Sequence, residues 1–126
     1  MSDALLDIAE LAKRFDVGGK RLLYAVDEVS FAIGRGETVG LVGESGCGKS
    51  TLVRLINRLL DPTSGSINLA GTELAALKAR AFAANPNRAR IQMVFQDAGE
   101  SLNPRYTAFQ AIADPLRRLT GCVAPR

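Results

Sequence analysis

The order of apolar and polar positions along the chain predicts that strands and helices alternate. Residues 38–42 are a short apolar run of the kind found in buried parallel strands. Residues 90–96 alternate apolar and polar side chains, which is the period of a half-buried strand. The segment after residue 48 has helical spacing, and we expect this helix to end at Asp61 because Pro62 restricts the residue before it. Its apolar face comprises Leu52, Leu55, Ile56 and Leu59.

The N-terminal third of the chain has the pattern of short strands joined by turns. Residues 5–15 fit either a strand or a helix, and the glycines within 16–20 predict a turn. Residues 22–33 fit one strand or two, and 34–37 predict a tight turn. A further turn at 63–65 leads into a short strand over 66–70.

Two more helices are predicted in the second half. One starts at 71–73 with Thr72 as its N-cap and stops before Pro86; its apolar face comprises Leu74, Leu77, Ala81 and Phe82. Thr107 and Gln110 have the spacing of a capping box for a last helix. Pro115 should kink that helix, or restart it with Asp114 as cap. The apolar face of this last helix comprises Phe109, Ile112, Leu116 and Leu119.

Candidate chemistry is concentrated in residues 43–51, which read GESGCGKST and match the phosphate-binding pattern G-x-x-x-x-G-K-[ST]. The glycines allow backbone N–H groups to approach a polyphosphate, and the helix that follows favours an anion at its N-terminus. Lys49 would place a charge on the β- and γ-phosphates, and the Ser50 hydroxyl would bind Mg²⁺. The alternative is a Gly-rich turn with an incidental lysine. The predicted binding residues are Gly43, Glu44, Ser45, Gly46, Cys47, Gly48, Lys49, Ser50 and Thr51.

Composition narrows the class of protein. The 126 residues are 47% hydrophobic and 23% charged, as in one soluble globular domain. The net charge of +3 is spread along the chain; it gives little support for nucleic-acid binding, and it suits anionic ligands such as nucleotides. The chain contains no histidine, which excludes a catalytic or metal-binding histidine.

Cysteine content favours a reducing, cytosolic compartment. Cys47 and Cys122 cannot build a disulfide framework, and no Cys/His metal spacing occurs. A reducing compartment is the simplest interpretation. The N-terminus has no basic region typical of a secretory signal, and no apolar run approaches 18 residues.

Several stretches together resemble the ATP-binding subunits of ABC transporters: LAKRF, AVDEVSF, GETVGLVGESGCGKST, DPTSGSI, IQMVFQD and SLNPR. VFQD followed by SLNPR is similar to the oligopeptide/dipeptide importer branch. The resemblance runs from residue 5 to 119. It implies an α/β P-loop NTPase core of ABC ATPase type, with an N-terminal antiparallel β portion and incomplete at the C-terminus. Residues 1–126 would then be a partial ATP-binding domain, from the phosphate loop to the glutamine loop, with a helical subdomain beginning near 106.

The resemblance assigns roles to two more residues. Phe15 occupies the place of the aromatic residue that stacks on adenine; alternatively, it is a half-buried aromatic at a strand end. Gln96 matches the glutamine that reaches Mg²⁺ and the attacking water, a role that suits a neutral amide. Its alternative is a solvated polar residue at a strand end. Ala98 departs from the branch, which usually has proline there.

As function, the resemblance implies Mg-ATP binding in a peptide importer, on the cytoplasmic side of the cell membrane. The implied partners are transmembrane permease subunits and a second ATP-binding subunit, in a homo- or heterodimer, with no nucleic acid. One alternative is another P-loop enzyme, either a small-molecule kinase or a GTPase, although the guanine-reading N/T-K-x-D motif is absent. Another is a catalytically incompetent fragment that binds nucleotide without turnover.

Whether the chain is an enzyme stays open, because parts that the resemblance implies are absent from the sequence. It contains no LSGGQ-like signature, no apolar strand ending in Asp-Glu after the phosphate loop, and no histidine. Asp27 and Glu28 imitate the Asp-Glu pattern, but they precede the loop and belong to the AVDEVSF stretch. We interpret them as acids at a turn or strand edge.

We therefore predict that residues 1–126 alone do not hydrolyse ATP at a meaningful rate, because nothing positions the attacking water or closes over the γ-phosphate. Uncovered apolar surface should also make the isolated chain poorly soluble. Phosphate release from Mg-ATP by the purified chain is the measurement, with Lys49→Ala as the control for contaminating ATPases. Sustained turnover that depends on Lys49 would contradict the prediction.

Overall fold

The computed structural model describes residues 3–121, which form two compact units that divide between Ala83 and Ala84. Cys122 lies outside the described residues. The first unit is built on a sheet of four antiparallel strands, and the second consists of short helices and loops. Among residues 3–121, no helix is long and apolar enough to cross a membrane.

The sheet contains β1 (Ala4–Asp16), β2 (Leu22–Gly34), β3 (Ser64–Leu69) and β4 (Thr72–Glu73), in the order β2-β1-β3-β4. The ambiguous N-terminal segment is therefore a strand, and 22–33 belong to one strand rather than two. The antiparallel N-terminal portion predicted from the sequence is confirmed.

The close contact between β1 and β3 depends on a glycine. Gly65 has a φ of 93°, and a Cβ atom built there would lie 2.4 Å from the Glu10 carbonyl oxygen. Glu10 itself has a φ of 49°, at an irregularity in the register of β1. Any larger residue at position 65 would force the two strands apart.

The helix α1 (Lys49–Ile56) ends earlier than the proline rule predicted. Its C-cap is Asn57, and Arg58 follows with a φ of 55°. The Leu59 N–H donates to the Arg54 carbonyl (2.9 Å), and the Arg58 N–H donates to the Leu55 carbonyl (3.0 Å). This pair of bonds is a Schellman motif, which closes a helix four residues before Asp61.

Arg58 organises the segment after α1. Only 1% of its surface is exposed. Its guanidinium donates to the Leu60 carbonyl (2.9 Å), the Leu77 carbonyl and Asp61 Oδ1 (3.1 Å). The Ala79 N–H also donates to Asp61 Oδ1 (2.7 Å), and this bond, with the Arg58 charge, outweighs desolvation and lowers the pKa of Asp61. These contacts join the end of α1 to the segment that precedes α2.

The prediction of a helix from Thr72 is wrong, because Thr72 and Glu73 form strand β4 instead. Ala70 and Gly71 have φ values of 48° and 86°, typical of the two-residue turn of a β-hairpin. This turn places Leu69 opposite Thr72. The helix α2 covers only Ala79–Phe82, although Leu74 and Phe82 are buried as predicted.

Two further predictions are contradicted: residues 38–42 and 90–96 are not strands. Among residues 3–121, neither segment pairs with the sheet. Val42 is 92% exposed and Val94 is 96% exposed, so the apolar runs are uncovered rather than buried. A strand requires hydrogen-bonded neighbours as well as a suitable pattern, and hydrophobic periodicity carries no information on the neighbours.

The second unit contains a 3-10 helix (Pro86–Arg90), α3 (Ala98–Ser101) and α4 (Ala108–Thr120). Thr107 and Gln110 form the predicted capping box, with side-chain to backbone bonds of 3.2 and 2.9 Å. The helix α4 is continuous through Pro115, and Asp114 pairs with Arg118 instead of capping a new helix. Ala113 is buried, whereas the predicted apolar face of α4 is largely exposed: Phe109, Ile112 and Leu116.

We predict that Asp61→Asn destabilises the chain, because it leaves the buried Arg58 guanidinium without its carboxylate. The side chain of Asp61 is 42% exposed, so we expect a loss of only about 1 kcal/mol at pH 7. A lowered folded-state pKa stabilises the fold above the ordinary value of 3.8, and this contribution disappears as the pH falls through the folded pKa.

Urea unfolding at pH 7, 5, 4 and 3 tests this prediction. The difference in unfolding free energy between the wild type and Asp61→Asn should shrink below about pH 4. Asp114→Asn is the matched control, since its partner Arg118 is 73% exposed and its loss should be small. Equal effects of the two substitutions at pH 7 would show that Asp61 has no special role.

Candidate functional site

The loop that precedes α1 turns sharply at its glycines. Gly46 and Gly48 have φ values of 82° and 93°, which few other residues adopt. The Cys47 N–H donates to the Glu44 carbonyl (3.3 Å), which closes a turn. Gly48 is the N-cap of α1, and its carbonyl accepts from the Leu52 N–H (2.9 Å). The loop therefore delivers the positive end of the helix dipole to the surface in front of it.

Gly48 also brings the loop against β2. A Cβ atom built on Gly48 would lie 2.1 Å from the carbonyl oxygen of Ala25, well inside contact distance. Any side chain at this position would push the loop away from the strand. The phosphate loop and the β1–β2 hairpin are therefore neighbours because residue 48 is a glycine.

Lys49 folds back across the loop. Its ammonium donates to the carbonyls of Gly43 and Glu44 (2.6 Å to the latter), and it lies 3.4 Å from Cys47 Sγ. A Cβ atom on Gly43 would lie 2.6 Å from the same sulfur. An incoming anion would compete with these two carbonyls and the sulfur for the ammonium group. A charged oxygen is a stronger acceptor than any of these neutral atoms.

A cavity of about 460 Å³ lies between the loop and the hairpin. Seven of the nine predicted loop residues line it, together with Phe15. Gly43 and Glu44 contribute differently, since their carbonyls hold Lys49. The lining comprises Phe15, Leu23, Tyr24, Ala25, Ser45, Gly46, Cys47, Gly48, Lys49, Ser50 and Thr51. The cavity thus has a cationic, N–H-rich wall and an aromatic wall.

Phe15 lies near the end of β1, opposite Leu23 on β2, and it is half-buried. The Lys13 ammonium is 5.1 Å from the centre of its ring. The same ammonium donates to the Asp61 carbonyl (2.6 Å), so the segment after α1 fixes the cation. The ring is therefore an ordered, flat apolar surface.

Comparison with known proteins identifies the family. The family model described as "ABC transporter" matches residues 26–121. The chain belongs to this family. The resemblance inferred from the sequence motifs is thereby confirmed.

Individual relatives show how much of the family architecture the chain covers. The Bacillus subtilis protein YkfD is 51% identical over 113 residues, which are 89% of this chain and 33% of that protein. The oligopeptide transport ATP-binding protein OppF of Salmonella typhimurium is 46% identical over 121 residues, which are 90% of this chain and 36% of OppF. This ABC family member therefore spans about a third of the length of these relatives.

Solved structures confirm the fold class. The dimeric ATP-binding cassette MJ0796 in a post-hydrolysis state, bound to ADP and Pi, matches with a TM-score of 0.78 at 26% identity. The match covers 94% of this chain and 50% of the cassette. The fold of this family member is thus part of an ABC-type cassette, including the antiparallel β portion expected from the sequence.

Gln96 lies in the second unit, is exposed, and precedes α3. The N-cap of α3 is Asp97, whose side chain accepts from the Gly99 N–H (2.8 Å). The contact of Gln96 with Mg²⁺ and water, which the resemblance implies, stays a prediction. Ser50 is exposed in the first turn of α1 and lines the cavity.

Sequence reasoning missed three residues of β2 that line the cavity: Leu23, Tyr24 and Ala25. The signal was available in the hairpin. The glycines of 16–20 form the turn, and counting outwards from it sets Phe15 opposite Leu23 and Arg14 opposite Tyr24.

Proposed function

We propose that this chain binds Mg-ATP and forms the phosphate- and base-binding part of an ATP-binding subunit in a peptide importer. One observation carries the proposal: a single cavity of about 460 Å³ is lined both by residues 45–51 of the phosphate loop and by the aromatic ring of Phe15. This volume lies in the range of small-molecule sites. A nucleotide has the matching chemistry, with a polyanion at one end and a flat base at the other.

The phosphates would lie against the loop and the N-terminus of α1. There the helix dipole and the Lys49 ammonium both favour negative charge. Lys49 already lies over the loop through its contacts with the carbonyls of Gly43 and Glu44. It would therefore need only to exchange these acceptors for phosphate oxygens. The structure of MJ0796 bound to ADP and Pi supports this assignment by similarity.

Magnesium fits the residues present. Ser50 presents a hydroxyl oxygen, a hard ligand, on the same cavity as Lys49. Mg²⁺ keeps several waters and binds substrate phosphates, so one or two protein oxygens suffice. When bound, the ion would neutralise phosphate charge.

Partners and location are proposed from the relatives. OppF is named an oligopeptide transport ATP-binding protein, and the MJ0796 cassette is dimeric. We propose that this chain likewise acts with a second ATP-binding subunit and with membrane permease subunits. It would work at the cytoplasmic face of the cell membrane, and the transported solute would be a peptide. The membership of the ABC family disfavours the kinase and GTPase alternatives.

Lys49→Ala should abolish measurable binding of Mg-ATP and Mg-ADP, because it removes the charge directed at the phosphates. Isothermal titration calorimetry on residues 1–126 is the measurement. Lys20→Ala, which removes an exposed lysine in the β1–β2 turn, is the matched control and should bind like the wild type. Equal affinity of the wild type and Lys49→Ala would rule out phosphate binding at this loop.

Phe15→Ala should weaken ATP binding about 10- to 100-fold, because base–aromatic stacking contributes about 1–3 kcal/mol. ATP and GTP should be affected alike, since stacking contacts a π-face and does not read the edge of a base. Calorimetry with each nucleotide measures this effect, and Phe109→Ala on the exposed face of α4 is the control. Unchanged dissociation constants for Phe15→Ala would show that the base binds elsewhere.

A further inference from the structure

Tyr24 is a second aromatic residue on the cavity that lies beside the phosphate loop. It belongs to β2, the edge strand of the sheet, and is 54% exposed. It lines the same cavity as Phe15. The register sets Phe15 opposite Leu23, so the two aromatic residues come from neighbouring positions of the paired strands.

Arg14 fixes the ring of Tyr24. The two residues are cross-strand partners, and the guanidinium carbon of Arg14 is 5.1 Å from the centre of the ring. The backbone N–H of Arg14 donates to Thr63 Oγ1 (2.9 Å), which fixes this part of β1. In the described part of the chain, Arg14 Nε is buried without a hydrogen-bond partner. Contact with the ring is a cation–π interaction of this guanidinium.

The guanidinium of Arg14 lies outside the cavity. Of residues 3–121, the set that lines the cavity contains Tyr24 but not Arg14. A cation over an aromatic ring is attracted to the ring face, which favours this position of the ring. Phe15 has the same arrangement with Lys13. Two aromatic residues of the hairpin thus line the cavity, and a cation of β1 lies over the ring of each.

We propose that Tyr24 contacts the base of the bound nucleotide as a second aromatic surface, and that Arg14 is the positioning residue for its ring. The proposal rests on the proposed nucleotide binding. The ligand class is a purine nucleoside di- or triphosphate, since a π-face accepts any base but gains most from a large one. The contact adds affinity for the nucleoside and none for the phosphates.

Calorimetry with two ligands tests this assignment: Mg-ATP, and inorganic tripolyphosphate with Mg²⁺, which lacks a base. Tyr24→Ala and Tyr24→Leu should each weaken ATP binding about five- to tenfold and leave tripolyphosphate binding unchanged. Tyr24→Phe should bind ATP like the wild type. Tyr106→Ala, which removes the other tyrosine of the chain, is the matched control and should have no effect.

Arg14→Gln should weaken ATP binding about two- to fivefold, and Arg14→Lys should restore most of the affinity, because either cation can lie over the ring. Wild-type ATP affinity in Tyr24→Leu would overturn the aromatic contact. An equal loss for tripolyphosphate in Tyr24→Ala would overturn it too, since the effect would not be on the base. Lys49-dependent binding of both ligands establishes the phosphate site separately, so its absence would contradict the proposed function itself.

Discussion

The close approach of Gly48 to the Ala25 carbonyl is the contact on which the candidate site depends. The phosphate loop and the hairpin are distant in sequence, and each alone presents only half of a nucleotide-sized surface. Because residue 48 lacks a side chain and adopts a φ of 93°, the loop packs directly on β2. The N-terminus of α1 then faces the same cavity as Phe15 and Tyr24. One backbone contact therefore joins the N-terminus of α1 and Lys49 to an aromatic surface in one cavity.

The other end of α1 is tied to the same hairpin by a polar network. Arg58 is buried and binds Asp61, whose backbone carbonyl accepts from Lys13, and Lys13 lies over the ring of Phe15. Burial of a guanidinium is costly unless its hydrogen bonds are satisfied. Here the carboxylate and two carbonyls satisfy most of them. The helix is thus anchored to the hairpin at both ends. At its start Gly48 packs on β2, and at its end Arg58 binds Asp61, which in turn accepts from Lys13 of β1.

The parts of the structure that the sequence predicted well are those determined by local chemistry. The phosphate loop, the turn at its glycines and the capping box of Thr107 and Gln110 involve residues within a few positions of one another. The prediction of a helix from Thr72 was wrong because Ala70 and Gly71 form a hairpin turn that pairs Leu69 with Thr72. The predicted end of α1 was wrong because Arg58 adopts a left-handed conformation at a position where glycine is usual. Tyr24 was missed because its role arises from strand register rather than from a motif.

The prediction of strands at 38–42 and 90–96 was wrong for a different reason, which bears on function. Their patterns describe side chains that are suited to burial, whereas Val42 and Val94 are almost fully exposed. A central strand is stabilised by neighbours on both sides, and in the described residues the sheet has its four strands elsewhere. The cavity does not depend on those neighbours, since its walls are held by Gly48, by the β1–β2 register and by the Arg58 network. The contacts that form the cavity and the contacts that would complete a central sheet are therefore physically separable in this chain.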